Sequence, residues 1–120
     1  MLSRLLQGML GTVLLALAVA VPAECLQVEG NSVDEKSTRY GITTAEWTAD
    51  VRNDCDAPYD ANLTVMFKDV DGRVLHKAVQ FVAIRGGNRE NTSRRINIPE
   101  DQFQAIDTIE VATEERERPR

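Results

Sequence analysis

Residues 61–75 read ANLTVMFKDVDGRVL, and the rhythm of the first seven sets the fold class. Ala61, Leu63, Val65 and Phe67 recur at every second position, with Asn62, Thr64 and Lys68 between them and Met66 as the one apolar residue on the polar side. A period of two marks a strand with one buried face, because successive side chains of an extended chain point to opposite sides. Asp69-Val70-Asp71-Gly72 closes the run. An Asp-Gly pair between two strand-like segments signals a hairpin, since glycine accepts the positive φ of a tight reversal. The returning strand is expected from Arg73 to about Ile84; it is rich in Val and Phe, and its register is ambiguous between its two faces.

The same alternation extends upstream. Ala45, Trp47, Ala49 and Val51 share one face of a strand, and Glu46, Thr48 and Asp50 share the other. The segment Arg52–Asp60, RNDCDAPYD, gathers Asn, Asp and Pro and marks a long turn. An earlier strand is expected around Leu26–Val28. Downstream, Arg85-Gly86-Gly87-Asn88 forms the next turn, and a polar strand from Thr92 to Ile98 keeps only Ile96 and Ile98 in phase before Pro99 ends it. An irregular piece holding Phe103 leads to a last strand with Ile109 and Val111, beginning near Ile106. The tail of residues 114–120, EERERPR, is charge plus proline and is expected to be disordered. Helical periodicity is weak throughout. About six to seven short strands without a repeat or a helix predict an all-β, antiparallel, immunoglobulin-like sandwich over residues 24–113.

Residues 1–23 have a different character. Arg4 is followed by an apolar run from Met9 to Val21, broken only by Gly11 and Thr12, and then by Pro22 and Ala23. A basic start, a short apolar centre and small residues at the end describe a secretory signal peptide, here a helix cut after Ala23 or Ala20. The run falls short of the ~20 apolar residues that span a bilayer, so no stable membrane insertion is expected after cleavage. An uncleaved leader that tethers the domain to the membrane is the alternative. Glu24 before Cys25 argues against lipid attachment at that cysteine. Removing the leader leaves 13 basic and 19 acidic residues, a net charge of −6. Such a domain repels nucleic acid and anionic lipid, so neither is an expected partner.

Cys25 and Cys55 both lie in the exported part. An even count in an oxidising compartment favours one disulfide between them. Closing a loop of about thirty residues contributes roughly 3–4 kcal/mol in the chain-entropy model.

From Trp47 to Leu75 the chain resembles the FxLYD family of small extracytoplasmic domains. The resemblance rests on Asp50-Val51-Arg52-Asn53, Ala57-Pro58-Tyr59-Asp60, the strand Leu63–Asp69 and Asp71-Gly72-Arg73-Val74-Leu75, and reaches Arg85–Glu90. Lys68 stands where that family carries an aromatic, and Gly86 where its later turn has proline. These are turn and core residues. The resemblance implies an immunoglobulin-like sandwich serving as a binding or structural module of the cell envelope, and no chemistry.

Candidate chemistry is sparse. His76, the single histidine, sits in mid-strand beside Lys77 and offers no nucleophile–base pair. Asp54, Asp56 and Asp60 share one turn, Asp69 and Asp71 another, and oxygen-rich loops suit calcium; the turns themselves also demand Asp and Gly. Trp47 reads as core, packed near the disulfide in the immunoglobulin manner. Arg85, Arg89, Arg94 and Arg95 depart from the general acidity. If Arg94 and its even-numbered neighbours face outward, part of this cluster forms a positive stripe for an acidic partner. The competing reading is an edge strand protected from pairing by its charges. The expectation is a periplasmic or secreted, non-enzymatic module without a cofactor, binding an unknown protein of the cell envelope. A small calcium-dependent binder or enzyme using the aspartate turns is the alternative.

Overall fold

Among residues 24–119, which the computed structural model describes, six strands and one short helix follow in order. They are β1 (Leu26–Arg39), β2 (Ile42–Asn53), β3 (Tyr59–Lys68), β4 (Val74–Ile84), β5 (Arg89–Pro99), α1 (Glu100–Gln104) and β6 (Thr108–Glu117). The leader expected over residues 1–23 lies outside the described residues. Two antiparallel sheets, ordered β1-β2-β5 and β4-β3-β6, form the all-β sandwich that the alternation predicts.

The central strands β2 and β3 carry the core. Ala45, Trp47, Ala49 and Val51 from β2 meet Ala61, Leu63, Val65 and Phe67 from β3, all buried on the inner faces as their spacing requires. Burying a side chain such as Leu63 or Phe67 contributes about 1.5–3 kcal/mol. Ile96 and Ile98 from β5 and Val82 and Ile84 from β4 complete the layer. The buried Trp47 indole N–H donates to Asn31 Oδ1 at 2.9 Å, so its polar edge is satisfied. Trp47 does not pack near the disulfide: six residues separate it from Asn53, which pairs with Leu26 beside Cys25, or about 20 Å of strand.

The reversals follow the chemistry of their residues. Gly72, at φ +84°, donates its N–H to the Asp69 carbonyl at 2.9 Å in the predicted hairpin. Tyr40 and Gly41 both have positive φ and join β1 to β2 in a two-residue turn.

Three features depart from the sequence reading. The segment around Phe103 contains α1, a single helical turn carrying the chain from one sheet to the other, with Phe103 and Ile106 half-buried against the core. β1 is far longer than Leu26–Val28. Its pairing with β2 slips between Glu29 and Ser32 and again between Glu35 and Ser37, so no single period survives along it.

The third departure is the charged tail. Residues 114–117 are not disordered; they continue β6 in register with Tyr59–Asn62 of β3. Beyond them Arg118 donates its backbone N–H to Pro58 O and its Nε to Asp60 Oδ1, both at 2.9 Å. The inward side chain of Glu115 explains the strand. Its carboxylate accepts the backbone N–H groups of Cys25 and Leu26 at 3.0 and 3.1 Å, binding the start of β1 to the end of β6. Glu115→Ala removes both acceptors and is expected to lower stability by about 1–3 kcal/mol. A urea midpoint equal to that of the parent protein would show that this contact contributes nothing.

Candidate interaction surface

The base of the surface is built around Asn53, the last residue of β2 and almost wholly buried. Its side-chain Nδ2 donates to Ala57 O and Ile84 O, each at 2.9 Å, and its Oδ1 accepts the Cys55 N–H at 2.9 Å. One amide thereby fixes both the 54–58 loop and the end of β4. Cys55 in that loop is bonded to Cys25, with 5.2 Å between their Cα atoms, as the even cysteine count suggests. The turn between β4 and β5 lies against the same loop: Gly87 N–H donates to Asn53 O and Cys55 O at 3.0 Å. Gly86 approaches so closely that a Cβ there would fall 2.0 Å from the Asp56 carbonyl oxygen. Only glycine fits.

From this base β4 and β5 run as neighbouring edges of the two sheets. Gln80 Nε2 donates to Thr92 Oγ1 at 2.9 Å, one hydrogen bond across the gap between them. The four arginines share this edge without sharing a face. Arg85 lies in the turn, and Arg89 opens β5 and reaches Glu29 at 3.6 Å. Arg95 faces outward opposite Glu46, while Arg94 lies opposite the buried Trp47. The even-numbered neighbours Thr92, Ile96 and Ile98 face inward and are buried, so the expected outward even stripe does not form. Arg94 shares their inward register yet stays exposed. Arg85, Arg94 and Arg95 form no ion pair within 4 Å among the described residues.

The outer face of the β4-β3-β6 sheet is the feature the sequence reading missed. Phe81, Asn62 and Glu114 form one row across it, and Val79, Thr64 and Ala112 the next. Phe81 is 60% exposed and Val79 48% exposed. An open depression of about 400 Å³ lies here, lined by Asp60, Asn62, Phe81, Glu114 and Arg116 among others. The signal was the double-faced apolarity of Val79-Gln80-Phe81-Val82, which left the register of this strand ambiguous.

Several of the residues considered for chemistry make contacts within the fold. His76 faces inward from β4, opposite Phe67, with ring centroids 6.0 Å apart, and burial pushes its pKa below the ordinary value. Asp69 accepts the backbone N–H groups of Asp71 and Arg73 at 2.9 Å; that to Arg73, above all, lowers its carboxyl pKa. Asp54 is held by Arg52 and Asp60 by Arg118. Among the described residues no group of three or more His, Cys, Asp or Glu side chains converges as a metal ion requires.

No family model matches the chain, and no curated protein does. Among solved structures it is similar to a β-glucuronidase from glycoside hydrolase family 2, with a TM-score of 0.56 and 17% identity over 73% of this chain. That match spans 10% of the β-glucuronidase chain, so the likeness concerns a small part of that enzyme. A DUF1425 family member from Shewanella sp. pv-4 aligns over 79% of this chain and 80% of its own, with 10% identity and a TM-score of 0.48. A protein from Archaeoglobus fulgidus aligns over 78% and 98%, with 9% identity and a TM-score of 0.45. At 17% identity the likeness to that part of the β-glucuronidase is one of fold, and fold does not assign function.

The lowered pKa of His76 makes a signed prediction. The folded state prefers the neutral imidazole, so its contribution to stability is fully present above about pH 6.5 and is lost as pH falls through the folded value. Between pH 7.5 and 5 the parent protein should lose more stability than His76→Gln, measured by denaturant midpoints. Parallel losses in the two proteins would contradict the burial argument.

Proposed function

We propose that this chain is an exported, non-enzymatic β-sandwich module of the cell envelope, similar to the FxLYD domains, that binds a protein through its β4–β5 edge. The observation that carries the proposal is that edge itself. Two strand edges lie side by side there, and Arg85, Arg94 and Arg95 stand on them without an acidic partner among the described residues. Exposed guanidinium groups beside unpaired backbone donors and acceptors suit an acidic, extended protein segment.

Export is supported by the leader read in residues 1–23 and by the Cys25–Cys55 bond, which belongs in an oxidising compartment. No helix among the described residues is long and apolar enough to cross a membrane. The disulfide also stabilises the fold by closing a loop between the start of β1 and the turn after β2.

A photo-crosslinking residue placed at Ser93 on β5, compared with one at Asp71 in the β3–β4 hairpin, tests the edge in the living host. A discrete protein adduct from position 93 and none from position 71 is expected. The same pattern from both positions, or no adduct at 93, would refute the assignment. Mass measurement of the recovered protein checks the export half: an amino terminus at Glu24 is expected, and a chain still carrying residues 1–23 would favour the tethered form.

A further inference from the structure

The two sides of the sandwich carry opposite charge. Along β4, the following turn and β5, Lys77, Arg85, Arg89, Arg94 and Arg95 stand against Glu90 alone, a net of +4. The other side is formed by β1 and β6, the remaining edge strands of the two sheets. There β6 carries Glu110, Glu114, Glu115 and Glu117 against Arg116, and β1 carries Glu29, Asp34 and Glu35 against Lys36 and Arg39. That side sums to −4. Glu114 and Glu117, like Arg85, Arg94 and Arg95, form no ion pair among the described residues.

We infer that the protein binds a second copy of itself head to tail, the basic β4–β5 edge of one molecule taking the acidic β1–β6 edge of the next. The inference rests on the proposed binding role of the β4–β5 edge and names its partner. Charge complementarity selects the copy. Leaving out Arg89 and Glu29, which pair with each other within one molecule at 3.6 Å, an edge of +3 finds a counterpart of −3 on the far side of its own fold.

Orientation is selected as well. The chain from residue 24 onward is acidic overall, so two molecules meeting at random repel each other, and this edge-to-edge approach brings opposite charges together. The strands suit the contact. β5 pairs with β2, and β6 with β3, without a register shift, so each is regular along its length, while β4 shifts once against β3 and β1 twice against β2. β4 and β6 have 11 and 10 residues, so their edges match in length. Because the two surfaces differ, the contact is heterologous and adds copies in a row rather than closing as a two-fold dimer.

Sedimentation velocity of the chain from Glu24 onward tests this. Species larger than the monomer should grow with concentration at about 50 mM salt and weaken about tenfold or more at about 500 mM, where the Debye length falls well below the ~10 Å of 0.1 M salt. R94E/R95E, which reverses exposed charges on one edge, and E114K/E117K, which reverses them on the other, should each lose self-association by a similar factor. An equal mixture of the two should recover pairing, because the unaltered acidic edge of the first variant meets the unaltered basic edge of the second. Unchanged melting temperatures verify that both variants fold.

A protein that stays monomeric at every concentration overturns the inference, as does association that ignores salt and both double variants. The Ser93 crosslink separates this failure from failure of the broader reading. An adduct of two copies supports both. An adduct with a different protein from a chain that is monomeric in solution keeps the edge as a binding surface and removes the self-contact.

Discussion

The side chain of Asn53 is the constraint on which one end of this sandwich depends. Its buried amide meets two carbonyls, Ala57 O and Ile84 O, and one backbone N–H, that of Cys55. The geometry calls for a group that donates twice and accepts once. Aspartate would set an anion against two carbonyl oxygens, and leucine would take the side-chain partner from all three groups, the buried Ile84 carbonyl among them, where such a loss costs about 1–3 kcal/mol. The loop that carries Cys55, the end of β4 and the glycine turn into β5 are all referred to this residue. The structure thus supplies a physical reason for an asparagine at position 53.

A sandwich of three strands over three leaves four edges open, and the chain treats them differently. β1 is irregular, with two shifts of register against β2. β6 is closed at one end by its grip on the start of β1 through Glu115. β4 shifts once against β3, between Phe67 and Lys68, while β5 is regular against β2 and studded with arginine. Charge on an edge strand ordinarily discourages pairing between molecules. When the opposite edge of the same molecule carries the opposite sign, the same side chains discourage some approaches and favour one.

The central strands were legible because their inner faces are buried along their whole length, so one period runs unbroken from Ala45 to Val51 and from Ala61 to Phe67. The edge strands were harder to read for separate physical reasons. β1 changes phase at its two irregularities, which hides the alternation of Val28 and Val33. The end of β6 looks like a solvated run of charge, yet Glu115 is an inward residue whose carboxylate replaces missing strand partners. Composition cannot show that, because it depends on where the chain begins its first strand. Among the candidate site residues, the cysteine pair follows from count and compartment. The separation of Arg94 from Arg95 onto opposite sides follows only from the register with Trp47 and Glu46. Phe81 and Val79 were visible as apolar residues, but not as an outward row until pairing with Asn62 and Thr64 fixed their direction.

The near-contact of Gly86 with the Asp56 backbone has a mechanical consequence. Two loops that leave no room for a methyl group between them cannot shift independently, so the β4–β5 turn is seated on a wall whose position is held by the Cys25–Cys55 bond. Cleaving that bond with a reductant would free the wall first and the turn with it, loosening Arg85 and Arg89 where they stand. The covalent link at one pole therefore sets how stiffly the positive flank is presented, although neither sulfur lies on that flank.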